Sequence, residues 1–124
     1  MALTHRHITG DWRDLIPDTP TDPDPYPDEI APAGNVHLAP VDPGPYIVNG
    51  VAYTIADVTA LISAGELHDL QGRAGVWITG QVGDTPIEWE AHITLHRPHA
   101  ITVYPVRFFP TELTHITSTG VTQW

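Results

Sequence analysis

The chain reads as a mainly β protein, a small antiparallel β-sandwich or barrel with one short helix at about 55–64 and a Pro-rich acidic loop at about 17–29. Three observations predict this. Residues 87–96 alternate apolar and polar side chains without a break, the period of a strand with one buried face. Short segments rich in Val, Ile, Thr and Tyr recur between Pro and Gly turns. The length, 124 residues, suits one domain with a modest core. Residues 1–124 are therefore expected to form a single β domain, with 17–45 a Pro-rich extended loop region inside it.

The elements follow in order. Thr4–Thr9 is the first candidate strand and ends near Trp12. Nine of the thirteen prolines fall within 17–45, and Pro fixes φ and removes a donor, so neither helix nor central strand is expected there. Its acidic part, Asp18–Glu29, should be an extended loop with polyproline character, mobile in a free subunit and ordered on assembly. Val36–Leu38 and Tyr46–Val51 are further short strands. Thr54 and Asp57 make a box-like N-terminus for a helix. Ile55, Val58, Leu61 and Ile62 share a helical face, and Gly65 supplies the stop.

After the helix, Val76–Val82, Ile87–His96 and Ile101–Phe108 read as three consecutive antiparallel strands, a meander. Residues 82–86 form the hairpin loop between the first two. Pro105 puts the last of the three at an edge or a bulge. Residues 113–123 offer one more strand.

Composition excludes several classes. A net charge of −10, with five Arg and no Lys, argues against nucleic acid and against anionic membrane surfaces. Without Cys there is no disulfide framework, thiolate nucleophile or Cys-bound zinc. No apolar run reaches the ~18 residues of a membrane span, and residues 1–10 show no apolar signal core. The expectation is a soluble protein made in a cytoplasm.

Residues able to carry chemistry are present but poorly placed. His92, His96 and His99 would share a helical face, yet on a strand His92 and His96 lie ~13 Å apart, too far for one ion. His5 and His7 share a strand face at a spacing that a metal can bridge. Glu88 and Glu90 also share a face, but on the polar side of an amphipathic strand rather than in a cleft. A pocket joining Glu90 to His92 is not expected. Ser63 and Ser118 sit in no nucleophile elbow, and the run from Gly72 to Gly75 lacks the Lys of a phosphate loop. No residue is assigned a catalytic, cofactor or metal role, and the chain is expected not to be an enzyme.

Aromatic residues are the better candidates. Four Trp are many for this length. Trp89 faces the core. Trp12, Tyr26, Phe108, Phe109 and Trp124 are candidate interface anchors, because large aromatics concentrate binding energy. Trp77, on the opposite strand face from Val76 and Ile78, is a candidate glycan contact, with Glu88 or Glu90 as polar edges.

The segments Ile8-Thr9-Gly10-Asp11-Trp12 and Ala33-Gly34-Asn35-Val36-His37-Leu38-Ala39-Pro40, separated by an acidic Pro-rich loop, resemble the start of small β domains in minor tail proteins of phages that infect actinobacteria. Residues 89–105 are similar to the second half of those domains. The resemblance implies a virion structural protein, a tail-tip or other minor tail subunit made in the host cytoplasm. It would assemble with other virion proteins and with copies of itself in a symmetric homo-oligomer. A glycan- or receptor-binding module acting on host-surface sugars, or a capsid decoration protein, is the alternative.

Overall fold

The computed structural model describes residues 3–16, 28–97, 100–117 and 120–123, and among these every regular element is a strand. In chain order they are β1 (Leu3–Gly10), β2 (Asp14–Ile16), β3 (Asp28–Ile30), β4 (Ala33–Pro40), β5 (Tyr46–Val48), β6 (Val51–Tyr53) and β7 (Val58–Ser63). There follow β8 (Glu66–His68), β9 (Val76–Val82), β10 (Thr85–Pro86), β11 (Trp89–Arg97), β12 (Ala100–Phe108), β13 (Thr114–Thr117) and β14 (Gly120–Gln123).

Two five-stranded sheets organise the chain. The first has the order β10-β9-β1-β13-β14, and the second β12-β11-β4-β7-β8. All neighbours are antiparallel except β1 and β13, which run parallel from Ile8–Thr114 to Gly10–Ile116. β2–β3 and β5–β6 are separate two-stranded ribbons.

The core follows from period-two alternation. β11 buries Trp89, Ala91, Ile93 and Leu95; β4 buries Val36 and Leu38; β7 buries Ala60 and Ile62. Ile8, Val76, Ile78, Val82 and Ile116 of the first sheet join the same cluster, so both sheets supply one apolar face to a shared core. Apolar burial of this kind is the main favourable term in folding.

Two buried indoles tie the sheets together. Trp12, at the exit of β1, is 1% exposed, and its Nε1 donates to the Tyr104 hydroxyl on β12 at 2.7 Å. Tyr104 in turn donates to the carbonyl oxygen of Thr117 on β13, returning to the first sheet. Trp89 of β11 donates its Nε1 to the carbonyl oxygen of Thr79 on β9 at 2.8 Å. A buried indole N–H needs an acceptor, and each of these finds it on the opposite sheet.

The structure corrects the expected helix at 55–64. Residues 58–63 are strand β7, with Val58, Ala60 and Ile62 directed inward and Leu61 outward at 43% exposure. Two of the four apolar residues that fit a helical stripe, Val58 and Ile62, also form a period-two set with Ala60, and β-branched Val58, Thr59 and Ile62 favour the pleat. Ala64 and Gly65 both take positive φ (52° and 78°) between the paired Ser63 and Glu66. That is a two-residue hairpin turn, not a helix C-cap. Gly65 is doubly constrained, because a Cβ there would also press on the Trp12 carbonyl oxygen.

Other expectations shift in smaller ways. The meander is interrupted: β9 lies in the first sheet and β11 in the second. The chain crosses at 87–88, where the Ile87 amide donates to Gly80 of β9 and the Glu88 carbonyl accepts from Val41, next to β4. The β11–β12 hairpin forms as expected, and β12, with Pro105, is an edge strand. The Pro-rich region 17–45 contains a central strand, β4, which pairs with β11 and β7. Its prolines fall at the margin, Pro32 before the strand and Pro40 as its last residue, where they leave the ladder intact. Tyr46–Val51 divides at Asn49-Gly50, both at positive φ, into the β5–β6 hairpin. Most of the acidic loop, 17–27, lies outside the described residues.

Two outcomes check this architecture. Ala64→Asn should raise stability by ~0.5–1 kcal/mol in urea denaturation, because Asn tolerates the left-handed region that Ala resists; a helix through 64 would give the opposite sign. Trp12→Ala should cost ~3–5 kcal/mol, the usual range for emptying a buried aromatic site.

Candidate functional site

A concave feature lies where β9 approaches the 54–58 connection. It is a half-open groove of about 340 Å³. Its lining includes His5, Trp77 and Thr79 from the outer face of the first sheet, with Tyr53 and Thr54 at the start of the connection from β6 to β7. Ile78, Val82 and Trp89, all members of the core, also line it.

Sheet geometry puts Trp77 there. The pairing of β1 with β9 runs from Ile8–Val76 to His5–Thr79, then shifts so that Thr4 pairs with Gln81. Gly80 is thus the extra residue of a bulge, a device that re-aims side chains at sheet margins. Trp77 pairs with His7, and their ring centroids lie 4.8 Å apart with a 32° tilt. His7 Nε2 lies 3.0 Å from the Ala74 carbonyl oxygen; that oxygen only accepts, so Nε2 carries the proton and the imidazole is held in place. The indole is 65% exposed yet braced on one face.

His5 and His7 therefore turn to separate partners. His5 Nδ1 lies 3.1 Å from Thr79 Oγ1, and His7 is bound to Ala74. On the same outer face, Thr9 Oγ1 and His115 Nδ1 are 2.7 Å apart. Among the described residues no three His, Asp or Glu side chains converge as a metal site would require.

On the outer face of the second sheet, Glu90 accepts from both His92 and Arg107. Glu90 and His92 are two residues apart on β11, so they share a face and meet on the exposed side of the sheet rather than in a pocket. The His92 and Arg107 hydrogen bonds, in that order, hold the Glu90 carboxyl below its ordinary range, and Glu90 raises Arg107 in return. A general acid at neutral pH needs the opposite shift. His37, paired with His92 across β4 and β11, has its own carboxylate at 3.0 Å, Asp57. In the loop between β8 and β9, Asp69 accepts from the amides of Arg73 and Gln71 and from the Arg73 side chain. These bonds, the Arg73 amide first, lower its pKa and fix a turn rather than a phosphate loop.

The candidate anchors separate into three groups. Trp12 and Phe108 are buried at 1% and 5%, packed in the core of their own domain, and offer no surface to a partner. The reason is positional: each sits at a strand end where the two sheets close. Phe109, one residue on, is 49% exposed. Tyr26 and Trp124 lie outside the described residues. For Trp77 the groove's polar groups among the described residues are His5, Tyr53, Thr54 and Thr79, not Glu88 or Glu90.

Sequence reasoning missed the outward pair Ile101 and Val103 on β12, exposed at 64% and 61%. The signal was the run Ile101, Val103, Pro105 at period two, set against Thr102, Tyr104 and Val106 on the other face. Both sets are largely apolar, so alternation alone did not say which was inside.

No family model matches the chain, and neither a curated protein nor a solved structure matches it.

The Glu90 network yields a pH signature. A carboxyl depressed in the folded state adds stability above its unfolded value, and this fades as pH falls through the folded one. Glu90→Gln should therefore lower the melting temperature modestly at neutral pH. The difference should vanish well below pH 4.5, the ordinary Glu value. Thermal melts across that range check it.

Proposed function

We propose that the chain is a non-catalytic structural subunit that works by protein–protein assembly, with its two sheets stacked as a β-sandwich. The observation that carries this reading is the outward apolar pair Ile101 and Val103 on edge strand β12. Adjacent outward aliphatic side chains on a sheet edge favour contact with another protein over water. Pro105, in the middle of the same strand, discourages edge-to-edge strand addition. The contact favoured is therefore face packing, extended by Phe109 at the strand's end.

The place of assembly rests on different support. The segments Ile8–Trp12 and Ala33–Pro40 resemble those of phage minor tail domains, and here they form the exit of β1 and the whole of β4. Gly34 in the second segment has a packing reason: a Cβ there would overlap the Thr94 carbonyl oxygen on β11. On this reading the chain is a virion protein, a tail-tip or other minor tail subunit, repeated by symmetry and contacting other virion proteins.

The test is the mass of the purified protein in solution by light scattering, for the native chain and for the double variant Ile101→Thr, Val103→Thr, which keeps strand propensity. A defined oligomer that the double variant reduces to monomer is expected, with a total buried area above ~1,200 Å². A native monomer that also fails to co-purify with phage particles from infected cells would overturn the reading.

A further inference from the structure

The groove beside Trp77 lies on the first sheet, away from the apolar pair of β12, and the assembly reading leaves it unused. We infer that it is a binding site for a neutral pyranose sugar, with Trp77 as its stacking platform.

Charge is the first argument. The chain carries −10, yet among the described residues no Asp, Glu, Lys or Arg lines this groove. A charged ligand would find no counter-charge among them, and leaving a charge unpaired beside apolar side chains is costly. The polar groups among the described lining residues are hydrogen-bonding partners: the imidazole of His5 and the hydroxyls of Tyr53, Thr54 and Thr79. Hydroxyls that both donate and accept suit sugar hydroxyls, which do the same.

Pre-organisation is the second argument. An exposed indole on a strand ordinarily loses rotamer freedom when a ligand stacks on it. Here His7 already packs against Trp77, and His7 is itself held by the Ala74 carbonyl. Part of the ordering cost is met before a ligand arrives. The other indole face carries the negative side of the ring quadrupole, which attracts the partly positive C–H groups on the apolar face of a pyranose.

Dimensions agree. About 340 Å³ lies at the lower end of the ~300–1,000 Å³ range of small-molecule sites, and the groove is half open. An open, shallow site of this size takes a terminal sugar or one unit of a longer glycan. Two of its lining residues are tied to each other, because the buried Trp89 donates its Nε1 to the Thr79 carbonyl oxygen.

The experiment is a glycan microarray carrying neutral and acidic glycans, probed with the native protein, Trp77→Ala and Trp77→Phe. Saturation-transfer NMR of any neutral sugar that binds, at millimolar concentration, follows. Trp77 is exposed, so both variants should keep the native melting temperature. The native protein is expected to capture neutral glycans, with saturation strongest at the C–H protons of one ring face. Trp77→Ala should weaken capture by about tenfold or more, with Trp77→Phe between the two. Capture of acidic glycans alone, no capture of neutral ones, or neutral capture unchanged in Trp77→Ala would each overturn the proposal. Because Ile101 and Val103 are untouched, loss of glycan binding with an intact oligomer separates this site from the assembly surface.

Discussion

The structure depends on two indole hydrogen bonds that cross between the sheets. Trp89 reaches from the second sheet to the Thr79 carbonyl of the first, and Trp12 reaches from the first to Tyr104 of the second. Apolar packing alone is non-directional and would let two twisted sheets slide. A buried donor with one acceptor is directional, because the wrong alignment leaves it unsatisfied at a cost of ~1–3 kcal/mol. The surroundings of Trp12 show how much is arranged around it. Its ring packs 2.6 Å from where a Cβ of residue 10 would stand, and its backbone amide donates to Gly65 in the β7–β8 turn.

The same bonds position the outer surfaces. Thr79, whose carbonyl accepts from Trp89, lines the groove, as Trp89 does, so the core interaction and the candidate site share both residues. The bulge at Gly80 belongs to this region too. It lets β9 change register against β1 while Trp77 stays over His7. On the second sheet the outer face carries a polar network, in which Glu90 joins His92 and Arg107 and His37 meets Asp57. An acidic chain with few cations thereby uses His as hydrogen-bonding partners for its carboxylates. Edge strands β10 and β12 contain Pro86 and Pro105, which blunt the sheet margins against unwanted pairing.

The candidate site was legible in part. Trp77 could be read as outward because its neighbours Val76 and Ile78 needed the core. Its partners could not. His7 lies seventy residues away in sequence and meets Trp77 through strand pairing; Tyr53 and Thr54 arrive with a connection from the other side of the fold. Trp12 and Phe108 failed as surface anchors for a related reason. An isolated aromatic at a strand end looks alike whether it caps a core or faces a partner, and only the closing of the two sheets decides which.

What the sequence determined by itself was local and periodic. Strict alternation specified β11 and its buried face, Pro105 narrowed its strand to an edge or a bulge, and the missing Cys and Lys excluded whole classes of chemistry. The segment 55–64 shows the limit. Ile55, Val58, Leu61 and Ile62 satisfy a helical stripe, while Val58, Ala60 and Ile62 satisfy a strand. Only the free ladder beside β4 settled the matter in favour of the strand, since pairing there satisfies backbone donors that β4 would otherwise bury unmade. Tertiary structure likewise decided that β9 and β11 belong to different sheets. Sheet membership is a long-range property: it depends on which distant strand offers a complementary edge, and no local pattern records that.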